Sequence, residues 1–153
     1  MSKNHEFENG AKRNGKRAVV FDLDGTLADT SDPNAHHKTN HEGFRSHARA
    51  ADAIPEMVEK VRKAKEDGRD VVILTARSAH YRTDTKSWLN EHGIPYDGLY
   101  MRPTDDTRKD KVVKRDLLTE QVLPNFDVKK AYDDKSKNVK MFRKEGIKAK
   151  KVN

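Results

Sequence analysis

The stretch Val19-Val20-Phe21-Asp22-Leu23-Asp24-Gly25-Thr26-Leu27 decides the fold of this chain. The apolar run from Ala18 to Phe21 predicts a buried strand, and two carboxylates, Asp22 and Asp24, follow where the strand ends. Because alternate residues of an extended chain share one side, the two carboxylates lie on the same side. The first can attack phosphorus and the second can donate or accept a proton. The stretch therefore predicts a strand whose tip carries phosphoryl-transfer chemistry.

Length and composition predict one globular domain with a small core and a heavily charged surface. The chain has 153 residues, of which 33% are hydrophobic, and its mean hydropathy is −1.06. No apolar run is long enough to span a bilayer, and residues 1–17 lack the apolar segment of a signal peptide. The chain has no cysteine, which excludes disulfides, thiolate catalysis and cysteine-ligated zinc. We expect a cytoplasmic protein with no membrane partner.

The chain is basic, with a formal net charge of +7 and a pI of about 9.5. The excess lies in the C-terminal third, where residues 102–153 carry 16 Lys or Arg and 9 Asp or Glu. A basic balance favours polyanionic partners such as nucleic acid. Ordinary solubility explains the charge equally well, so charge alone leaves both interpretations open.

Short apolar strands alternate with amphipathic helices along the chain, which predicts a parallel sheet with helices on both faces. We expect residues 1–16 to form a disordered basic tail and residues 17–153 to form the domain. A short helix is expected near Gly43–Arg49. The predicted strands are Ala18–Phe21, Asp70–Leu74, Tyr96–Met101, Val128–Tyr132 and Ile147–Val152. The predicted helices are Glu56–Glu66, Thr83–His92, Asp110–Val122 and Ser136–Glu145.

Polar side chains follow three of these strands directly. In parallel sheets, ligands bind at the carboxyl ends of the strands, so these side chains are expected to meet at one edge. They are Asp22 and Asp24, Thr75 and Arg77, and Asp133 and Asp134. Their convergence predicts an active site more strongly than any single motif does.

In chain order, Asp22-x-Asp24-Gly25-Thr26, Thr75, Lys114 and Asp133-Asp134 resemble the four motifs of the haloacid dehalogenase-like (HAD) phosphatase superfamily. A closer resemblance is to the 3′-phosphatase domain of phage-type polynucleotide kinase-phosphatases. The segments that carry it are Arg77, Arg102, Asp106–Lys114 and Phe126–Lys129. The resemblance implies a three-layer α/β, Rossmann-like HAD fold with a central parallel sheet and a minimal cap. It also implies a Mg²⁺-dependent hydrolase that forms an aspartyl-phosphate and removes 3′-phosphates from polynucleotide ends.

The resemblance and the residue chemistry together assign roles. The expected catalytic residues are Asp22, Asp24, Thr75 and Lys114. The expected substrate-binding residues are Gly25, Thr26, Arg77, Arg102, Arg108, Lys109 and Asp110. The expected Mg²⁺ ligands are Asp22, Asp24, Asp133 and Asp134, because carboxylate oxygens suit a hard cation.

Two features depart from the bifunctional relatives. Residues 10–16 match the beginning of a nucleotide-binding P-loop, but Arg17 replaces the required Ser or Thr and no strand precedes Gly10. We therefore expect no kinase half in this chain, and we expect a separate kinase or ligase as its partner. The family arginine after the first motif is also missing from residues 30–35, and Arg45 or Arg49 could replace it in space.

Other interpretations remain open at this stage. The same catalytic residues would serve a phosphatase for a nucleotide or a small metabolite. A non-catalytic nucleic-acid-binding module is a second alternative, and the intact set of acidic motifs argues against it. Zinc binding is disfavoured, because four histidines with one pair at helical spacing make a weak pattern. These histidines are His36, His37, His41 and His47.

Overall fold

Five parallel strands form the centre of the computed structural model, which describes residues 16–31 and 48–153. They are β1 (Arg17–Phe21), β2 (Asp70–Ser78), β3 (Gly98–Arg102), β4 (Asp127–Asp133) and β5 (Lys148–Lys151). Their order across the sheet is β3-β2-β1-β4-β5. The chain therefore builds outward from β1 on one side and then crosses to the other side. The resulting switch point lies at the carboxyl ends of β1 and β4, where ligands bind in sheets of this kind.

Within residues 51–153, four α-helices cover the two faces of the sheet. They are α1 (Pro55–Glu66), α2 (Arg82–Glu91), α3 (Asp110–Leu117) and α4 (Ser136–Lys144). A 3₁₀ turn, Ala79–Tyr81, joins β2 to α2, and a π-helical turn, Leu118–Val122, continues α3. The sequence predicted a helix over Asp110–Val122, and the chain is helical over these residues, with a π-helical last turn that was not predicted. The apolar spacing carries no signal for the change, because Leu118 and Val122 are buried in the wider turn as they would be in a regular one.

The alternation of side chains along β1 explains why the sheet is covered on both faces. Val19 and Phe21 belong to the apolar cluster that contains the buried residues of α1 and α2. Ala18 and Val20 belong to the second cluster, with those of α3 and α4. Since neighbouring residues of a strand face opposite sides, a continuous apolar strand requires two helical layers. The predicted three-layer α/β architecture is confirmed.

The bounds of β2 differ from those predicted in a way that affects the site. The predicted strand ended at Leu74, but β2 continues to Ser78, which pairs with Arg102 of β3 after an irregularity in the register. Thr75 and Arg77 therefore lie within the last residues of the strand, on the same side of it. Both are buried.

Three predictions involve residues that the structure does not describe. The tail up to residue 15 and the histidine-rich segment lie outside the described residues, as does most of the helix expected near Gly43.

Between β3 and α3 the chain forms only a short loop, residues 103–109, so no cap domain is inserted there. Among the described helices, none is long and apolar enough to cross a membrane.

Candidate active site

The carboxyl edge of the sheet brings together the side chains that the sequence places after three different strands. Because β2, β1 and β4 are neighbours, their carboxyl ends are adjacent. A cleft of about 280 Å³ opens at this edge. Its lining residues are Asp22, Asp24, Thr75, Ala76, Arg77, Ser78, Tyr81, Asp110, Lys114, Asp134, Lys135 and Asn138.

Lys114 is the buried centre of the site. Its Nζ donates to Asp22 Oδ1 at 2.6 Å and to Asp133 Oδ2 at 2.7 Å. The side chain is only 2% exposed. It belongs to α3, which packs on the face of the sheet that carries the second apolar cluster. Burial by itself lowers the pKa of Lys114, but the charges of Asp22 and Asp133 outweigh it and the pKa is raised. Lys114 is therefore a permanent positive charge between two carboxylates.

Asp22 is fixed by hydrogen bonds and lies in a region with more negative than positive charge. Thr26 Oγ1 donates to Asp22 Oδ2 at 3.1 Å, so Lys114 and Thr26 together fix both carboxylate oxygens. Burial raises the pKa of Asp22 well above its ordinary value, and Asp133 and Asp134 add to the increase while Lys114 opposes it. Three carboxylates beside one lysine leave this corner of the cleft short of positive charge.

Asp133 and Asp134 differ in what their oxygens contact. Asp133 Oδ2 accepts from Lys114, and its Oδ1 accepts from the Lys135 amide at 2.9 Å and from Asn138 Nδ2 at 3.2 Å. Asp134 Oδ1 is buried and has no hydrogen-bond partner within the described part of the chain. Asp133 is thus an anchored residue, and Asp134 offers an oxygen that is still available to a ligand.

The acidic corner fits a hard divalent cation. Asp22, Asp133 and Asp134 present carboxylate oxygens that lie within 4.8 Å of one another. Gly25, at φ +85°, keeps the space beside them open, since a Cβ there would lie 2.1 Å from Asp134 Oδ2. An all-oxygen donor set with a buried, unsatisfied carboxylate oxygen suits Mg²⁺. Asp24, which was also expected to be a ligand, lies outside this group of three.

Asp24 instead forms an ion pair with Arg77 on the opposite side of the cleft. Arg77 Nη2 donates to Asp24 Oδ1 at 2.6 Å and Nε donates to Oδ2 at 3.3 Å. Thr85 Oγ1, from α2, accepts from Arg77 Nη1 at 2.9 Å, and Thr75 Oγ1 accepts from the Arg77 amide. The guanidinium is 5% exposed, whereas the Asp24 carboxylate is 38% exposed. Arg77 is therefore anchored, and it orients Asp24 towards solvent in the cleft.

Comparison with known proteins identifies the family of the chain. The family profile for the polynucleotide kinase PNKP phosphatase domain matches residues 16–153. The chain belongs to this family. It is thus a phosphatase domain of the HAD type, which agrees with the resemblance that its motifs carry.

The relatives of this PNKP phosphatase domain are longer proteins. A chain in a solved structure of the Pnkp1/Rnl/Hen1 complex is 30% identical with a TM-score of 0.77, and the match covers 99% of this chain and 51% of the other. A protein of Autographa californica nuclear polyhedrosis virus, named as a bifunctional polynucleotide kinase/RNA ligase, is 27% identical over 129 residues. That match covers 83% of this chain and 18% of the viral protein. The class C acid phosphatase of Bacillus anthracis shares the fold, with a TM-score of 0.60 at 20% identity over 80% of this chain and 53% of the other.

Two arginines, Arg102 at the end of β3 and Arg108 in the loop before α3, stabilise that loop. Arg102 donates to the carbonyls of Ala76, Asp106 and Arg108 and pairs with Asp110 at 2.5 Å. Arg108 pairs with Asp106 at 2.8 Å and with Asp116 at 2.6 Å. The hydrogen bonds from Arg108 lower the pKa of Asp106 to about 2. Substrate binding by Arg102 and Arg108 stays a prediction, and in this structure both guanidiniums have protein partners.

Several residues of the site were not predicted from the sequence. Asn138 and the Lys135 amide orient Asp133, Thr85 holds Arg77, and Asn153 Nδ2 donates to the Gly25 carbonyl at 2.7 Å. Asn138 is five residues beyond Asp133, at the start of α4, which is a weak local signal. The Lys135 amide is two residues from Asp133 and Thr85 is eight from Arg77, whereas Asn153 is 128 residues from Gly25 and leaves no pattern in the sequence.

The sequence predicts that Arg45 or Arg49 replaces the missing family arginine in space. Arg45 lies outside the described residues. Arg49 forms ion pairs at 3.6 Å with Asp84 and with Glu91, both on α2, and does not line the cleft. Arg77 therefore is the arginine that the described part of the chain places in the cleft.

Proposed function

We propose that this domain removes terminal 3′-phosphates from polynucleotides in a Mg²⁺-dependent reaction that passes through a phosphoaspartate on Asp22. The observation that carries the proposal is the buried bridge from Lys114 to Asp22 and Asp133, with Asp24 two residues beyond Asp22 in the same cleft. A two-step phosphoryl transfer requires a nucleophile and a nearby group that moves a proton. Asp22, held by the buried Lys114, can be the nucleophile, and the partly exposed Asp24 can move the proton. Membership of the PNKP phosphatase domain family supports the choice of substrate.

In the first step an oxygen of Asp22 attacks the phosphorus atom. The bond between phosphorus and the 3′-oxygen breaks as the new bond to Asp22 forms, and Asp24 donates its proton to the leaving 3′-oxygen. In the second step Asp24 takes a proton from a water molecule, which attacks the phosphoaspartate. Inorganic phosphate leaves, and Asp22 regains its carboxylate while Asp24 regains its proton.

The remaining residues of the cleft stabilise charge. Lys114 opposes the effect of burial on the pKa of Asp22 and so favours its ionised form before attack, and it balances the phosphoryl oxygens afterwards. Thr75, buried at the end of β2, can donate its hydroxyl to a phosphoryl oxygen. The Arg77 guanidinium, which pairs with Asp24 in the cleft, can also donate to an oxygen of the substrate phosphate.

Asp22 and Asp134 are the residues that would hold Mg²⁺, with Asp133 anchored beside them. The ion would neutralise part of the phosphate charge and so reduce its repulsion from the Asp22 carboxylate. This assignment follows from the available oxygen of Asp134 and from the all-oxygen chemistry of the corner.

The polymer substrate and its partners are supported by the relatives. One is named as a polynucleotide kinase/RNA ligase, and another belongs to a solved structure described as an RNA repair complex. The chain spans about half the length of the matching chains in the two repair-complex structures and less than a fifth of the viral protein. We therefore propose that a kinase or a ligase acts together with this domain on nucleic acid ends. A cytoplasmic location stays a prediction.

The test is phosphate release from three substrates, each with Mg²⁺ and with EDTA. They are a 3′-phosphorylated oligonucleotide, a 5′-phosphorylated oligonucleotide and a mononucleotide. We expect Mg²⁺-dependent release mainly from the 3′ end, and no release by the Asp22→Asn variant. Preference for the mononucleotide would contradict the polymer substrate while keeping the chemistry. Turnover that survives in Asp22→Asn would contradict the phosphoaspartate.

A further inference from the structure

A second groove opens from the active-site cleft and runs between the exposed sides of α3 and α4. Its volume is about 700 Å³, more than twice that of the cleft. Both cavities are lined by Asp110, Lys135 and Asn138, so they adjoin each other. We call this cavity the α3–α4 groove. A ligand whose end lies at Asp22 can extend into it without leaving the surface of the domain.

The groove is strongly basic, and its charge is not balanced by neighbours. It is lined by seven cations and two carboxylates, Asp110 and Glu145, and Asp110 already pairs with Arg102. All seven cations are exposed, and none of the six lysines among them forms an ion pair with a residue that the structure describes. The cations are Lys109, Lys111, Arg115, Lys135, Lys137, Lys140 and Lys144.

The spacing of these cations forms two facing rows. Lys137, Lys140 and Lys144 are three and four residues apart on α4, so they share one side of that helix. Lys111 and Arg115 are four apart on α3 and form the second row. The nine residues of α4 extend about 14 Å at 1.5 Å per residue, long enough for more than one phosphate of a strand. The groove therefore has the charge and the length for a short run of phosphates.

The residues that line the groove indicate that it does not recognise bases. No aromatic side chain lines it within the described residues, whereas Tyr81 lines the cleft itself. Base stacking in single-strand binding depends on aromatic side chains. A groove with lysines and without aromatics contacts a sugar-phosphate backbone and is insensitive to base sequence.

We propose that the α3–α4 groove binds the backbone of the single strand whose terminal 3′-phosphate lies at Asp22. This inference rests on the proposed function and adds the path of the substrate. The nucleotides on the 5′ side of the terminal phosphate lie along the groove. Lys109 belongs to this surface, while Arg102 and Arg108 hold the neighbouring loop together.

The variant that tests the path is Lys140→Glu/Lys144→Glu, because both lysines are exposed and neither lines the cleft. The matched control is Lys129→Glu/Lys148→Glu. It makes the same change in charge at exposed lysines of a separate cavity, near the amino ends of β4 and β5. Lys140→Gln/Lys144→Gln removes the charge without reversing it and serves if the first variant does not fold.

Phosphate release is measured for a nucleoside 3′-monophosphate and for 3′-phosphorylated single strands of increasing length, at low and at moderate salt. For the unmodified protein, KM should fall with strand length and level off once the strand fills the groove. In the groove variant KM for the longer strands should rise about tenfold, and the slope of log KM against log salt should decrease by about 1.4, or 0.7 for each lost contact. Its activity on the monophosphate should be unchanged, and the control should match the unmodified protein.

Binding of a fluorescently labelled 3′-hydroxyl strand, followed by anisotropy, separates this inference from the proposed function. Weaker binding by the groove variant alone supports the path even if no substrate releases phosphate, in which case the proposed function fails by itself. If the groove variant and the control bind the strand equally, with equal salt slopes, the proposed path is wrong. That result would also be expected if the groove served an acidic protein instead.

Discussion

Replacing Lys114 by methionine tests whether the buried bridge organises the site. In the folded protein Lys114 Nζ lies 2.6 Å from Asp22 Oδ1 and 2.7 Å from Asp133 Oδ2, and its side chain is 2% exposed. Methionine fills a similar volume but leaves the two carboxylates buried and facing each other. We expect the free energy of unfolding to fall by about 3–5 kcal/mol, the usual cost of removing one partner of a buried ion pair. Domains of this kind are stable by only about 5–15 kcal/mol, so the loss is a large share.

A double-mutant cycle gives this prediction its sharpest form. Asp22→Asn removes one of the two carboxylates that Lys114→Met leaves without a cation. Burial raises the pKa of Asp22, so a neutral amide is tolerated at this position better than an ionised carboxylate. The double variant should therefore be more stable than Lys114→Met alone, with a coupling free energy of about 1–3 kcal/mol.

The assay is urea unfolding followed by circular dichroism at neutral pH, with EDTA present so that metal binding does not contribute. Lys111→Met is the matched control, because Lys111 lies on the same helix and is exposed. It should change the free energy of unfolding by less than about 0.5 kcal/mol. A loss below about 1 kcal/mol in Lys114→Met, or two single changes that simply add, would refute the reasoning.

Four further changes test other parts of the structure. Gly25→Ala should reduce phosphate release at least about tenfold, because its Cβ would lie 2.1 Å from Asp134 Oδ2 at φ +85°, and full activity would show that the corner is looser than described. Asp134→Asn should raise the Mg²⁺ concentration for half-maximal activity at least about tenfold in a metal titration, and an unchanged titration would remove Asp134 from the ligands. Arg77→Lys should raise KM for a 3′-phosphorylated strand about tenfold, since an ammonium cannot replace the fork that the guanidinium presents; equal steady-state kinetics would argue against phosphate contact. Trp88→Phe should cost about 1–3 kcal/mol of stability in urea unfolding and leave kcat unchanged, because Trp88 Nε1 donates to the Ala51 carbonyl and neither residue lines the cleft, and a lower kcat would contradict this assignment.

The sequence predicted the elements that depend on local patterns. The continuous apolar run before Asp22 required a strand covered on both faces, and the alternation of strands and helices required a parallel sheet. Parallel strands end at the same edge, so Asp22, Thr75 and Asp133 could be assigned to one site without coordinates. Bounds were less certain where pairing extends a strand, as in β2, and where the winding of a helix changes after Leu117.

The pairings within the site were decided only by the tertiary structure. Lys114 and Asp22 are 92 residues apart, and Arg77 and Asp24 are 53 apart, so no local pattern could specify either contact or its distance. The same holds for the basic residues, whose charges the sequence shows without their partners. From the sequence, Arg102 and Lys109 were equally good candidates for binding a phosphate. In the structure, three carbonyls and Asp110 surround the Arg102 guanidinium.

By itself, then, the sequence determined the strands, the layers and the edge at which the acidic residues meet, because those follow from periodicity and from the geometry of parallel sheets. Only the tertiary structure decided which cations neutralise those acids and which remain exposed along α3 and α4. The physical reason is that a charged side chain acquires its role from the burial and the charges around it, and both are set by residues distant in the chain.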